Sequence, residues 1–133
     1  MTPIQQAEVG DLQLKFEARP DYLYAFVTGE QDSLEGSRKV WSKISEECRA
    51  HGWHKVLVEE EIETTIEVTE IYDLCAELVE LGFENVQIAF VDRVAAQSDD
   101  NLFAEDVAVN RGIWGRFFST VEEAEAWLLA DAN

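Results

Sequence analysis

The chain is poor in cysteine, in basic residues and in long apolar runs. Its two cysteines, Cys48 and Cys75, belong to no Cys-x-x-Cys pair and have no metal-ligand spacing, so we expect both to be reduced and buried. No apolar stretch is long enough to span a bilayer, and the first ten residues lack the pattern of a signal peptide. The sequence therefore predicts a cytoplasmic protein without membrane insertion.

Positive charge is scarce, because ten basic residues face 28 acidic ones and the formal net charge is −18. Phosphate backbones repel such a protein, so we expect no nucleic-acid partner. No Lys or Arg occurs between positions 56 and 91, which makes this stretch the most acidic part of the chain. The excess acid has two readings, a solvated surface that favours solubility or a surface for a basic partner.

Apolar residues make up 47% of the 133 residues, enough for the core of one ordinary domain. Short β-like runs alternate with longer helical stretches, as in an α/β fold. The clearest helix has apolar residues at i, i+3, i+4 and i+7 between Val68 and Val79. The clearest buried strand is the short run from Lys55 to Val58, followed by an acidic loop from Glu59 to Thr65.

The resulting order of elements is β-β-α-β-α-β-α-β-α. It predicts a mixed, mostly parallel sheet of five strands packed with four helices, in one domain over residues 1–133. The ordered core is expected over 11–130, with fraying at both ends.

Several segments resemble the SpoIIAA-like group of small bacterial proteins, which are similar to STAS domains. The resemblance is carried by the hairpin start and by the segments HKVLVEEE, YDLCAELVELG, NVQIAFVD and NRGIWGRFFSTVEEAEAWL. It implies the anti-sigma-factor-antagonist fold, related to the lipid-binding Sec14 (CRAL-TRIO) domain. It also implies a regulatory protein partner and a homodimer.

In the anti-sigma-factor antagonists, to which that group is similar, a serine is phosphorylated where the third strand meets the second helix. The matching stretch here is Glu63-Thr64-Thr65-Ile66, which keeps two hydroxyls but has neither the serine nor the following glycine. The resemblance thus marks Glu63, Thr64 and Thr65 as a phosphorylation switch or ligand loop. The alternative is that Thr65 or a neighbour only caps the following helix.

A row of acids at helical spacing gives a second candidate site, an interaction surface formed by Glu67, Glu70, Asp73 and Glu77. Like charges three or four residues apart destabilise a helix, so a basic surface would offset them. Basic residues of the first helix, such as Arg38, provide one such surface within the chain or across a dimer. The alternative is a solvated face.

Motifs for catalysis and for metal binding are missing. There is no Gly-x-Ser-x-Gly, no phosphate-binding glycine loop and no calcium loop. Consecutive glutamates such as Glu59, Glu60 and Glu61 point to alternate faces of a strand, so they rarely converge on one metal ion. The sequence predicts no enzyme activity, no metal and no cofactor.

Aromatic residues, by contrast, exceed what a small core needs, and some are expected to line an apolar pocket or a dimer patch. Two functions follow from the sequence and the resemblance. The first is a non-enzymatic, STAS-like regulatory or protein-interaction module. The alternative is a protein that binds or senses a small apolar ligand or lipid, which predicts a closed apolar pocket between sheet and helices.

Overall fold

The computed structural model describes residues 3–9, 12–31, 33–64, 68–94 and 98–130. Six strands form one sheet: β1 (Pro3–Val9), β2 (Leu12–Ala18), β3 (Leu23–Gln31), β4 (Lys55–Thr64), β5 (Gln87–Asp92) and β6 (Gly115–Phe118). The four α-helices are α1 (Leu34–His51), α2 (Val68–Glu80), α3 (Ser98–Asn110) and α4 (Val121–Leu129), with a 3₁₀ turn at Phe83–Asn85. No helix among the described residues has the length and apolar character that a bilayer crossing requires.

The α/β class and the order of elements from β2 onward are confirmed. The strands lie side by side in sequence order, β1-β2-β3-β4-β5-β6. The first two pairings are antiparallel and the remaining three are parallel. The structure adds β1, which lies in the segment expected to fray, so the sheet has six strands rather than five.

The sequence order of the parallel strands determines where the helices lie. Each connection from β3 to β6 moves to the next strand in the same direction, so crossovers of one hand place α1, α2 and α3 on the same face. Their buried side chains, such as Ile44, Cys75 and Val107, form one core cluster with alternate residues of the sheet. Helix α4 packs on the opposite face, where Ala124 and Leu128 meet Leu57 and Ala89.

Local sequence signals account for the ends of the helices. Ser33 is the N-cap of α1 and accepts a hydrogen bond from the Gly36 N–H at 2.9 Å. Thr120 has the same role in α4, where it accepts from the Glu123 N–H at 3.2 Å. Helix α1 ends at Gly52, whose φ of +70° is in the left-handed region that glycine adopts without strain.

Strand β4 is longer than expected, because it continues through the acidic stretch up to Thr64. Residues 59–64, expected to form a loop, pair instead with the parallel strand β3, from Phe26–Glu59 to Gln31–Thr64. The extension is possible because Glu59 is buried with polar partners. The carboxyl ends of β3 and β4 thus project together at one edge of the sheet.

Candidate functional site

A cavity of about 130 Å³ lies between the sheet and the layer of helices α1, α2 and α3, and it is partly open to solvent rather than closed as the sequence predicted. Its floor consists of β5 and β6, and its walls come from the three helices. Small residues leave this space open, because Ala104 and Ala108 of α3 and Gly115 of β6 all line it. A Cβ atom built on Gly115 would make only ordinary contacts, the nearest being 3.7 Å from Ile113 Cγ2, so glycine here leaves room rather than relieving a clash.

Most of the cavity lining is apolar. Trp41 of α1 contributes its ring, which meets Phe83 edge-on with centroids 5.5 Å apart. Further apolar side chains in the lining are Ile71, Leu74, Cys75, Leu78, Ile88, Phe90, Ile113 and Phe117. A cavity lined in this way favours an apolar ligand over water, which needs polar partners.

Polar lining residues come from the middle of β4, from the first turn of α1 and from α3. They are Ser37, Glu60, Asn101 and Glu105. Glu60 faces the cavity because Val58 and Ile62, two positions away on either side, belong to the core cluster on the same face of the sheet. The cavity therefore has an apolar interior and a polar side that carries carboxylates.

Asp92, the last residue of β5, holds Asn101 in place at the cavity. One carboxylate oxygen accepts from the Asn101 amide at 2.8 Å, and the other accepts from the Val94 N–H at 2.9 Å. Burial raises the pKa of Asp92, and these two hydrogen bonds only partly counteract it. The carboxylate thus links the end of β5 to the first turns of α3.

Glu105 joins α3 to the outer edge of the sheet. Its Oε1 accepts from the backbone N–H of Phe117 at 2.6 Å. Arg116, the next residue back in β6, also contributes to the cavity lining. Its guanidinium carbon, however, lies 5.3 Å from the ring centroid of Phe118, which packs in the core on the opposite face. The charge of Arg116 is therefore directed away from the cavity.

A hydrogen-bonded cluster lies on the opposite face of the sheet, beside α4. The buried carboxylate of Glu59 accepts from the Tyr24 hydroxyl and, at 2.6 Å, from Arg93 Nε. Burial raises the pKa of Tyr24, and the bond to Glu59 raises it further, so the phenol stays a donor. Arg19 lies over the Tyr24 ring at 4.2 Å. All groups in this cluster have partners, so we assign it a structural role.

Of the predicted phosphorylation switch, the structure describes two residues and omits the third. Glu63 is an exposed residue of β4, and Thr64 is its last residue. Thr65 lies outside the described residues, and α2 begins at Val68. Thr64 is thus at the end of a strand rather than in a loop, and phosphorylation here stays a prediction.

The predicted acidic surface is present in part on α2. Asp73 is exposed, Glu70 is half-buried, and Glu67 lies outside the described residues. Glu77 forms an ion pair with Arg38 of α1, with Nε and Oε2 3.8 Å apart. This pair agrees with the expectation that basic residues of the first helix offset the acidic row. The remaining basic residue on that turn, Lys39, pairs instead with Glu35 at 3.1 Å.

Sequence reasoning missed Glu60 and Asn101 as lining residues. On sequence alone, Glu60 is grouped with the neighbouring glutamates. Its position two residues after Val58 and two before Ile62, however, predicts that it lies on the same face of the strand as these core residues. Asn101 had no signal of its own, because its role depends on Asp92, which is nine positions away and in another element.

Two further observations describe the titratable groups at the cavity. Burial raises the pKa of Cys75, the one thiol in the lining, to about 11, so it is a poor nucleophile at neutral pH. Within the described ranges, no three His, Cys, Asp or Glu side chains converge as metal ligands would. No protein-family model matches the chain, and no curated protein matches it with significant similarity.

Proposed function

We propose that this protein is a non-enzymatic, STAS-like binding module that holds a small apolar ligand between its sheet and helices α1, α2 and α3. The observation that carries the proposal is the apolar cavity of about 130 Å³. For comparison of size alone, an enclosed engineered cavity of roughly 150 Å³ binds benzene. A single ring or a short aliphatic chain therefore fits the space.

The arrangement of elements supports a regulatory use of this binding. Three helices contribute to the wall, and α2 and α3 also form part of the molecular surface. Tyr72 of α2 and Leu102 of α3 are 48% and 49% exposed. A ligand that orders the wall from inside would thereby change the surface that a partner contacts.

Filling the cavity tests the proposal. Ala104→Leu places three additional carbons at a lining position of α3. Ala126→Leu makes the same change at an exposed position of α4, on the other side of the sheet, and serves as the matched control. Isothermal titration calorimetry measures the binding of benzyl alcohol to each protein. We expect the parent and Ala126→Leu to bind it equally well, and the affinity of Ala104→Leu to be lower by at least about tenfold.

Gly115→Ala is the milder second variant, since its Cβ adds volume to the lining without a close contact. It should fold normally and weaken binding by a smaller factor than Ala104→Leu. If the parent does not bind benzyl alcohol, or if both filled variants bind as the parent does, the proposed ligand site is wrong. Native mass spectrometry of freshly purified protein would show whether a natural ligand co-purifies.

A second candidate function is a regulatory interaction with another protein, favoured by the exposed aromatic and apolar residues of α2 and α3. Tyr72 meets Phe103 edge-on with ring centroids 5.6 Å apart, and Asp73 next to it is exposed. A partner with apolar and basic groups would complement this surface. Phosphorylation at Thr64 or Thr65 is the switch that the family resemblance implies. Phosphopeptide mass spectrometry on protein from its native cells tests it, and absence of phosphate under all growth conditions would contradict it.

Homodimer formation and a cytoplasmic location are further parts of the proposal. Exposed Trp114, which contacts Trp127 at 6.2 Å between ring centroids, and exposed Leu129 support a dimer patch beside β6. Light scattering coupled to size-exclusion chromatography measures the oligomeric state. The buried, unpaired thiols of Cys48 and Cys75 support a reducing compartment.

A further inference from the structure

We infer that the ligand of this cavity carries a cationic amine on its apolar body, and that carboxylate-bearing ligands such as fatty acids are excluded. This inference rests on the proposed function and adds the chemical class of the ligand. It follows from the sign of the charges that line the cavity, rather than from its apolar part.

Two of the residues that line the cavity carry carboxylates. Glu60 of β4, which pairs with Asp92 at the end of β5, and Glu105 on α3 both line it. Among the described lining residues the one basic side chain is Arg116, and its guanidinium lies over Phe118 on the opposite face of the sheet. The remaining polar groups, Ser37 and Asn101, are neutral. The local charge therefore favours a cation.

Hydrogen bonding already present at these carboxylates does not exclude a ligand. The bond from the Phe117 N–H engages Oε1 of Glu105, whereas a carboxylate offers about four acceptor positions in total. An ammonium group supplies donors only, so it matches such acceptors. A ligand carboxylate would bring a like charge next to them in a partly desolvated place, and its affinity would be correspondingly low.

The net charge of −18 acts in the same direction over a longer range. It raises the local concentration of small cations and lowers that of small anions. Size sets the other limit, because about 130 Å³ accepts one ring or a chain of similar volume. The class is therefore a small aromatic, alicyclic or short-chain amine.

Three probes of similar shape separate the charge of the head group from the apolar body: benzylamine, benzyl alcohol and benzoate. We expect titration calorimetry to give affinities in the order benzylamine, benzyl alcohol, benzoate, with about tenfold or more between the first and the last. The benzylamine affinity should fall as NaCl is added, whereas that of benzyl alcohol should not.

Glu105→Gln removes one lining charge while keeping an oxygen that can accept from the Phe117 N–H. This variant should bind benzylamine with severalfold lower affinity than the parent and bind benzyl alcohol with the same affinity. Glu60→Gln makes the equivalent change on β4. Glu46→Gln, at an exposed position of α1, alters the net charge equally and is the matched control, for which no change is expected.

The outcomes distinguish this inference from the proposal it rests on. Equal affinity for all three probes, or tightest binding of benzoate, overturns the amine class and leaves the apolar binding site standing. An equal effect of Glu46→Gln and Glu105→Gln would assign the preference to net charge and overturn the role of the lining carboxylates. If none of the probes binds, the proposed function fails and this inference fails with it.

Discussion

The Tyr24 hydroxyl donates a hydrogen bond to the Glu59 carboxylate, joining neighbouring strands β3 and β4 on the face opposite the cavity. Both residues are buried, and Arg93 supplies the second donor to the same carboxylate at 2.6 Å. This pair explains how a glutamate can occupy the interior side of a strand.

Tyr24→Phe removes the hydroxyl and leaves Glu59 with one donor fewer in a buried position. We expect the free energy of unfolding to fall by about 1–3 kcal/mol, the usual cost of losing a hydrogen bond to a buried charge. Chemical denaturation measures it. Tyr72→Phe, an exposed tyrosine of α2, is the matched control and should change stability by less than about 0.5 kcal/mol. Similar losses in both variants would argue against the assigned role of Glu59.

Thiol labelling offers a second prediction, because Cys75 lines the cavity whereas Cys48 packs elsewhere in the same core. Burial raises the pKa of each thiol to about 11. At pH 8 the thiolate fraction is thus about 100-fold lower than for an ordinary cysteine, and labelling should be slow.

Two single-cysteine variants, Cys48→Ala and Cys75→Ala, separate the two thiols. Saturating benzyl alcohol should slow alkylation of the thiol at position 75 and leave position 48 nearly unchanged. Equal protection of both would instead indicate that the ligand stabilises the whole fold, and would contradict a contact at Cys75.

The raised pKa of Asp92 predicts a pH dependence of stability. Because burial disfavours the charged carboxyl, the folded protein binds its proton more tightly than the unfolded chain, whose group titrates near 3.8. The contribution of this group is therefore greatest below that value and is lost as the pH rises through the folded pKa.

Asp92→Asn removes this contribution, so the variant should lose less stability than the parent as the pH rises from about 4 to neutrality. Asp106→Asn, an exposed aspartate of α3, is the matched control and should keep the slope of the parent. Denaturant titrations at several pH values measure both slopes. A steeper slope in Asp92→Asn than in the parent would contradict the direction of the shift.

Repulsion within the acidic surface gives a fourth prediction. Arg38 of α1 forms an ion pair with Glu77 in the acidic row of α2, and Asp73 of the same row is exposed. We expect the melting temperature to rise with NaCl concentration, since salt screens repulsion between exposed charges. Asp73→Asn should raise it at low salt, and Asp73→Lys should raise it further.

At high salt these two variants should approach the parent, because the charge at position 73 is then screened. Differential scanning calorimetry at two NaCl concentrations measures the melting temperatures of the parent and both variants. If melting temperatures are independent of salt in all three proteins, repulsion on this surface contributes nothing to stability.

The order of elements could be predicted because each strand and helix has its own local pattern. Helix α2 shows this most clearly, with buried Ile71, Cys75 and Leu78 at helical spacing. The helix starts also have local signals, since a hydroxyl residue, Ser33 or Thr120, directly precedes α1 and α4.

What the sequence could not show depends on partners that are distant in the chain. Residues Pro3–Val9 become a strand by pairing with β2, and this contact is a property of the assembled sheet. Glu59 extends β4 because of Tyr24, which is 35 positions away. The cavity likewise arises where three helices and three strands meet around small residues, and no single segment of the sequence carries a sign of it.

The hydrogen bond from the Phe117 N–H to Glu105 occupies a donor at the outer edge of β6. A free edge of this kind is a template on which other chains can add strands and build aggregates. Here the negatively charged Glu105 accepts from the Phe117 N–H. A strand that approaches this edge therefore meets an N–H that is already hydrogen-bonded, with a negative charge beside it. The same glutamate that borders the cavity therefore also occupies one position at which an added strand would pair with β6.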